Sequence, residues 1–240
     1  MTTSFLSAGH TETGKVRRHN EDAILVRDDL GLWVVADGLG GHSAGDYASA
    51  LIVERLGALT RTGSVYDFVE AIEDCLQQIN AELRAAAAAR RVDVIASTAV
   101  ILVHDRDFVL CGWVGDSRAY VYEDGRLSQL TSDHVHGGAK SDVTQFSQPA
   151  RPQAGAGVLT RAIGAEDRLY LDWVVAGSRP GMRFLLCSDG INKELSDEEL
   201  DLACHDHAEP RELLARLFEL ALGRSARDNV SAVIVRLQEP

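Results

Sequence analysis

Aspartate recurs in this chain at the ends of short apolar runs, where a carboxylate leaves the core but stays close to it. Asp37 follows Leu32-Trp-Val-Val-Ala36 and precedes Gly38, and Asp116 follows Cys111-Gly-Trp-Val-Gly115 and precedes Ser117-Arg118. Asp189 follows Phe184-Leu-Leu-Cys-Ser188 and precedes Gly190. Asp22, after Asn20-Glu21, and Asp228, before Asn229, each open a further apolar run. Taken singly, each reads as an aspartate starting a turn, with glycine next because it accepts positive φ. Taken together, they are oxygen donors that packed sheets could gather at one edge. Carboxylates held so close repel, and raise one another's pKa, unless a cation neutralises them. Oxygen donors without a Cys or His cluster suit a hard ion such as Mg²⁺ or Mn²⁺ and argue against structural zinc. Two such ions about 3.5–4 Å apart can activate a bridging water and clamp a phosphoryl group during in-line attack. Gly38 suits such a site, because without a side chain its backbone carbonyl can approach a metal. Arg17, in Gly14-Lys-Val-Arg17-Arg-His-Asn20-Glu21-Asp22, adds a guanidinium fork that can hold phosphate oxygens, whereas Arg18 reads as a solvated surface residue.

The elements that must position these residues follow from periodicity. Apolar runs at Phe5–Ala8, Ala23–Val26 and Leu32–Ala36 have the length and β-branched content of strands. Two amphipathic helices are expected next, over Ser43–Thr60 and over Val65–Ala89, the alanine run being simply the end of the second. Strands follow at Thr98–His104, Phe108–Val114, Ala119–Tyr122 and Leu127–Leu130, with Asp124-Gly125 signalling a hairpin. From Thr131 to Val158 the periodicity gives way to Gly, Ser, Gln and Pro, and this reads as a loop insertion of the kind that is often functional or disordered. Strands resume at Leu169–Val175, Phe184–Cys187 and Val230–Leu237. Between them Ser196-Asp-Glu-Glu199 reads as a capping box opening a short helix, and a further helix spans about 211–222. Runs of adjacent strands, without regular βαβ alternation, predict antiparallel sheets packed against helices: an α+β layered fold. No linker or repeat divides the chain, so residues 1–240 are expected to form one domain.

Composition narrows the partners. The chain has 36 acidic and 24 basic residues, a formal charge of −12, which argues against nucleic acid or an anionic membrane as a partner. No uncharged apolar stretch approaches the ~18 residues a membrane span needs, and no basic region precedes an apolar run at the N-terminus. Cys75, Cys111, Cys187 and Cys204 show no Cys-x-x-Cys spacing and read as reduced, mostly buried thiols. A soluble, cytoplasmic protein is expected.

Six segments in order carry a resemblance. Gly14-x-x-Arg17-x-x-Asn20-Glu21-Asp22, Ala36-Asp37-Gly38-x-Gly40-Gly41-His42, Val114-Gly115-Asp116-Ser117-Arg118, Leu159-Thr160-Arg161-Ala162, Ser188-Asp189-Gly190 and Asp228-Asn229-Val230 occur as in the type 2C (PPM) metal-dependent serine/threonine protein phosphatases. The match runs from about residue 9 to 237, and the compact bacterial members look most similar. The resemblance implies a four-layer α-β-β-α sandwich, with two central antiparallel sheets flanked by pairs of helices. It implies Mn²⁺ or Mg²⁺, two ions in the core and a possible third. Asp37 would bridge both core ions and the Gly38 carbonyl would ligate one. Asp189 and Asp228 would complete the other, and Glu21 and Asp22 would act mainly through metal-bound water. Asp116 would join Asp189 at a third, weaker site, and Arg17 would bind the substrate phosphate. Catalysis would be direct attack by a metal-bridging hydroxide, without a phosphoenzyme. The substrates would be phosphoserine and phosphothreonine proteins, with a cognate Ser/Thr kinase as a possible partner and the chain acting as a monomer.

Two positions depart from the family pattern. Many eukaryotic members have a histidine after the Asp-Gly pair as general acid, whereas this chain has Leu39; His42, three residues on, is not its equivalent. The leaving group would then be protonated by water or by another group. The insertion opens with Thr131-Ser-Asp133-His134 as in the family, but Val135–Gly157 lacks the usual amphipathic pattern. Asp133 and His134 could face the metal site or cap a turn, and a structural role is favoured.

Other chemistries fit worse. Gly9-His-Thr-Glu-Thr-Gly14-Lys15 begins like a phosphate-binding loop, but Val16 stands where Ser or Thr should hold Mg²⁺, and a strand follows instead of a helix. A cysteine phosphatase is opposed by the spacing from Cys111 to Arg118 and by Asp116 within it, which would repel phosphate. The remaining alternative is a phosphatase-like binding module that does not turn over, and the presence of Asp37, Asp189 and Asp228 argues against it.

Overall fold

The computed structural model describes residues 4–40, 44–136 and 158–239; His42 and most of the expected insertion lie outside them. Eleven strands among the described residues form two antiparallel sheets. In one, β1 (Ser4–Glu12), β11 (Val230–Gln238), β10 (Arg183–Cys187), β7 (Arg118–Glu123) and β8 (Arg126–Gln129) lie side by side in that order. In the other the order is β2 (Asp22–Arg27), β3 (Leu32–Leu39), β5 (Ala99–His104), β6 (Phe108–Val114) and β9 (Asp172–Gly177), with the two-residue β4 (Ala96–Ser97) pairing the end of β3.

The apolar runs are continuous because the central strands are buried on both faces. In β3, Trp33 and Val35 point into the core between the sheets, while Leu32, Val34 and Ala36 point the other way. That second face packs under α1 (Gly45–Gly57) and α2 (Val65–Arg90) through Ile52, Leu56, Phe68, Ile72 and Leu76. In β11, Val233 and Val235 face the sheet interface. Its Ala232 and Ile234 face α3 (Asp189–Asn192), α4 (Asp197–Asp206) and α5 (Pro210–Gly223), packing with Ile191, Leu200, Leu213 and Leu217. Three apolar cores therefore separate four layers, the α-β-β-α sandwich of the expectation. Local chemistry agrees with it. Capping boxes at Ser64 and Ser196 start α2 and α4, each hydroxyl cap contributing about 1 kcal/mol. Asp124 and Gly125 both take positive φ, 51° and 79°, as a two-residue turn between β7 and β8 requires. The four cysteines are free thiols, with Cys111 and Cys187 buried on β6 and β10.

The boundaries differ in three places that matter. First, β3 does not end at Asp37: the strand runs on through Gly38 and Leu39, which pair with Ser97 and Ala96 of β4. Asp37-Gly38 is thus held within a ladder, not in a strand-to-turn junction. Second, the strand expected from Leu169 begins at Asp172, because Leu169 is buried against α2 and its carbonyl accepts from Gln77 Nε2 (2.7 Å) instead of a sheet partner. Third, Asp189 opens a helical turn, α3, where a simple turn was expected.

Candidate metal centre

Antiparallel pairing brings the carboxylates together. The start of β2 lies beside the end of β3, so Asp22 and Asp37 are register partners. The end of β10 lies beside the start of β11, which sets Asp189 and Asp228 at the same edge of the sandwich. Asp116 follows β6, whose neighbour β5 joins β3. Arg17, Glu21, Asp37, Gly38, Asp116, Asp189 and Asp228 all line one cavity of about 430 Å³. A larger, mainly apolar cleft of about 650 Å³ lies elsewhere, between β1 and α5, and gathers none of these residues.

Burial, then the charges of Asp22, Asp189, Asp116 and Asp228, raise the Asp37 carboxyl well above the usual range. Asp116 is pushed up to about 6, by burial first and then by Asp189. Asp189 is raised by burial, although Lys193 opposes the shift. Glu21 is raised by burial, against the pull of Arg17. Such a cluster stores repulsion that a cation relieves.

The backbone is shaped for close approach. A Cβ on Gly38 would stand 2.0 Å from the Gly45 carbonyl oxygen and 2.7 Å from that of Glu21. The Gly38 N–H donates to the same Glu21 oxygen at 3.0 Å, and the Asp37 carbonyl accepts from Thr98 N–H at 2.8 Å. Asp37 and Gly38 are therefore fixed from both sides.

Several contacts at the site were not legible in the sequence, and Ser231 and Lys193 carried no signal there. Asn229 joins the Arg17 loop to β11: its Oδ1 accepts from Glu21 N–H (2.8 Å), and its Nδ2 donates to the Thr13 and His19 carbonyls (2.8 and 2.9 Å). Ser188 and Ser231 both donate to Asp22 Oδ2, at 2.7 and 2.6 Å, tying the two sheets together. Asp22 is pushed up to about 6, mainly by burial, and it sits behind the cavity without lining it. Lys193 lines the cavity and ion-pairs with Asp189 Oδ2. Asn229 stood inside a quoted motif, but its fan of contacts depends on chain segments over 200 residues apart.

Asp133 and His134 do not line the cavity, although the Asp133 charge reaches Asp116. Asp133 takes a two-pronged bond from Arg118, at 2.9 and 2.8 Å. His134 stacks on Trp113, accepts from Gly115 N–H at Nδ1 (3.1 Å) and meets Asp172 through Nε2 (3.0 Å). Its main chain bonds Gly115 and Thr160 on either side, so it pins the base of the insertion to the segment before Asp116. These contacts fit the structural role favoured for both residues.

Among the described residues, no three Asp, Glu, His or Cys side chains already close on one point as a ready-made cage. The reason is local pairing. Arg17 forks onto both oxygens of Asp228 at 2.9 Å, Lys193 holds Asp189 Oδ2, and the serines hold Asp22. Among the described candidate ligands, Asp189 Oδ1 is fully buried and has no hydrogen-bond partner. An unsatisfied carboxylate oxygen, an all-oxygen donor set and a side-chain-free carbonyl at Gly38 fit hard divalent cations.

A family model described as protein phosphatase 2C matches residues 9–233. The chain belongs to the protein phosphatase 2C family. It is 32% identical over 240 residues to the serine/threonine protein phosphatase PstP of Mycobacterium tuberculosis, covering 95% of this chain but only 44% of that protein. It is 29% identical to the serine/threonine phosphatase stp of Listeria monocytogenes, covering 94% of this chain and 93% of the relative. Among solved structures, PppA, described as a key regulatory component of T6SS in Pseudomonas aeruginosa, superposes with TM-score 0.87 at 39% identity, covering 97% of each chain. The catalytic domain of PstP in complex with two manganese ions superposes with TM-score 0.83 at 26% identity, covering 99% of this chain and 100% of that one. Membership in the 2C family agrees with the state of the thiols: burial pushes Cys111 and Cys187 up to about 12, leaving no thiolate nucleophile there.

Proposed function

We propose that this chain, read as one phosphatase domain over residues 1–240, hydrolyses phosphoserine and phosphothreonine monoesters on proteins with two divalent ions, Mn²⁺ or Mg²⁺. The observation that carries this reading is the convergence of Asp37, Gly38, Asp116, Asp189, Asp228 and Arg17 on one cavity in a 2C-family chain. Asp37 would hold both ions, the Gly38 carbonyl would help to hold one, and Asp189 with Asp228 would hold the other. When bound, the ions supply an activated water and a clamp for the phosphoryl oxygens.

The chain's own residues do the rest. Glu21 shares the cavity, held by burial and by the Asn229 link to its N–H. Asp22 stiffens the floor through Ser188 and Ser231. Arg17 serves the substrate phosphate by exchanging Asp228 for it, because a cation on Asp228 cancels the charge that holds the guanidinium. Leu39 lines the cavity beside Gly38 and brings no proton there. The likeness to the serine/threonine phosphatases PstP and stp supports action on phosphoserine and phosphothreonine; we further take the chain as a cytoplasmic monomer that opposes a Ser/Thr kinase.

A phosphothreonine peptide assayed with Mn²⁺, with chelator, and with Asp37→Asn tests the reading. Turnover is expected with Mn²⁺ alone and lost in the other two. Turnover that survives chelator or Asp37→Asn sinks the two-ion assignment. Absence of turnover with every metal favours a binding module.

A further inference from the structure

We propose that the Lys193 ammonium takes the place of a third metal ion in this phosphatase, so that the centre holds two ions and no more. The inference rests on the two-ion reading above and concerns the space between Asp189 and Asp116, where the family resemblance puts a third, weaker site.

Helical geometry puts Lys193 there. Asp189 opens α3, and the Lys193 N–H closes its turn onto the Asp189 carbonyl at 2.9 Å. Side chains four residues apart on a helical turn share a face, and the Lys193 ammonium contacts Asp189 Oδ2. The turn packs directly against the segment before β11, where a Cβ on Gly190 would stand 1.9 Å from the Asn229 carbonyl oxygen. The ammonium is also within electrostatic range of Asp116 and Asp228, and its side chain lines the same cavity.

The two oxygens of Asp189 have different tasks as a result. Oδ1 is buried and unpaired, open to a core ion. Oδ2 is held by Lys193. A third ion between Asp189 and Asp116 would have to displace a covalently attached cation from Oδ2 and then sit against its positive charge. Lysine brings no lone pair when charged, so it cannot itself become a ligand. A tethered ammonium also pays no association cost, whereas a weak third ion must be recruited from solution. The lysine therefore neutralises the Asp189–Asp116 side of the cavity whatever the free metal concentration.

Counting bound Mn²⁺ tests this directly. Purified full chain, stripped of metal and titrated with Mn²⁺, is followed by the loss of the free-ion electron paramagnetic resonance signal. Lys193→Asp, Lys193→Met and Lys193→Arg are measured beside it, with thermal unfolding to verify that each folds. Wild type and Lys193→Arg are expected to saturate at two ions. Lys193→Asp, which adds an oxygen donor, should saturate at three, and Lys193→Met should take its third ion at least about tenfold more weakly than Lys193→Asp. Three ions on the wild type, or two on every variant, overturns the proposal while leaving the core centre intact. Fewer than two on the wild type overturns the two-ion reading itself, and the lysine assignment with it.

Discussion

Replacing Gly38 by alanine tests whether the Asp37-Gly38 ladder is built around a side-chain-free carbonyl. The added Cβ would lie 2.0 Å from the Gly45 carbonyl oxygen, 2.4 Å from its carbon and 2.7 Å from the Glu21 oxygen. All three are backbone atoms, so no rotamer change relieves the contact. Ordinary contact distances begin near 3.5 Å, so β3 and the start of α1 must separate by about 1 Å or more. Overpacking of this kind costs about 1–3 kcal/mol, and the upper end applies because the neighbours belong to a helix and a loop already fixed by hydrogen bonds. At a urea slope of about 3 kcal/mol per molar, a loss of 3 kcal/mol lowers the midpoint by about 1 M. The same displacement moves the Gly38 carbonyl, and misplacing a catalytic group by about 1 Å can lower turnover about 100-fold. Gly45→Ala meets its nearest atoms at 2.7–2.8 Å and should lie between this variant and wild type. Gly177→Ala in β9, where a Cβ meets nothing within 4 Å, should be neutral or slightly stabilising. Urea unfolding and hydrolysis of p-nitrophenyl phosphate with Mn²⁺ measure both effects. Wild-type midpoint and turnover in Gly38→Ala would refute the close-approach argument.

The raised carboxyls make metal and proton compete. Asp22 and Asp116 at about 6, with Asp37 also raised well above the usual range, keep protons in the folded chain that the unfolded chain has lost, so their contribution to metal-free stability falls as pH rises from about 4 through 6. Mn²⁺ needs the deprotonated forms, and the rise in melting temperature it causes should be small at pH 5 and large at pH 8; an equal rise at both pH values would remove the cause assigned here. Asn229→Ala leaves Glu21 N–H without its acceptor and should cost about 1–3 kcal/mol. Because Asn229 also anchors the loop bearing Arg17, KM for a phosphopeptide should rise more than kcat falls, and steady-state kinetics showing an unchanged KM would contradict that role.

Much of this molecule was legible along the chain because its signals are local. A strand buried on both faces must be apolar at every position, so Leu32–Ala36 and Val230–Leu237 stand out as runs, and Asp124-Gly125 marks its own turn. The aspartates at the run ends were visible for the same reason: a charged side chain interrupts an apolar run only where the strand meets solvent. Asp37 and Gly38 were identified as a pair, and Arg17, Asp116, Asp189 and Asp228 as their companions, before any pairing was known. What the residues could not state by themselves was partnership across the sheets. Asn229 and Glu21, or Asp22 with Ser188 and Ser231, meet only because antiparallel registers bring distant segments to one edge. The α3 turn was invisible because Gly190 follows Asp189, and glycine after aspartate ordinarily announces a bend; in the fold this turn packs closely against Asn229. That turn brings Lys193 onto Asp189. Residue type and spacing thus determined the chemistry available to this chain, whereas the fold decided which charge faces which, because electrostatic contacts depend on distance in space and the sequence records only distance along the chain.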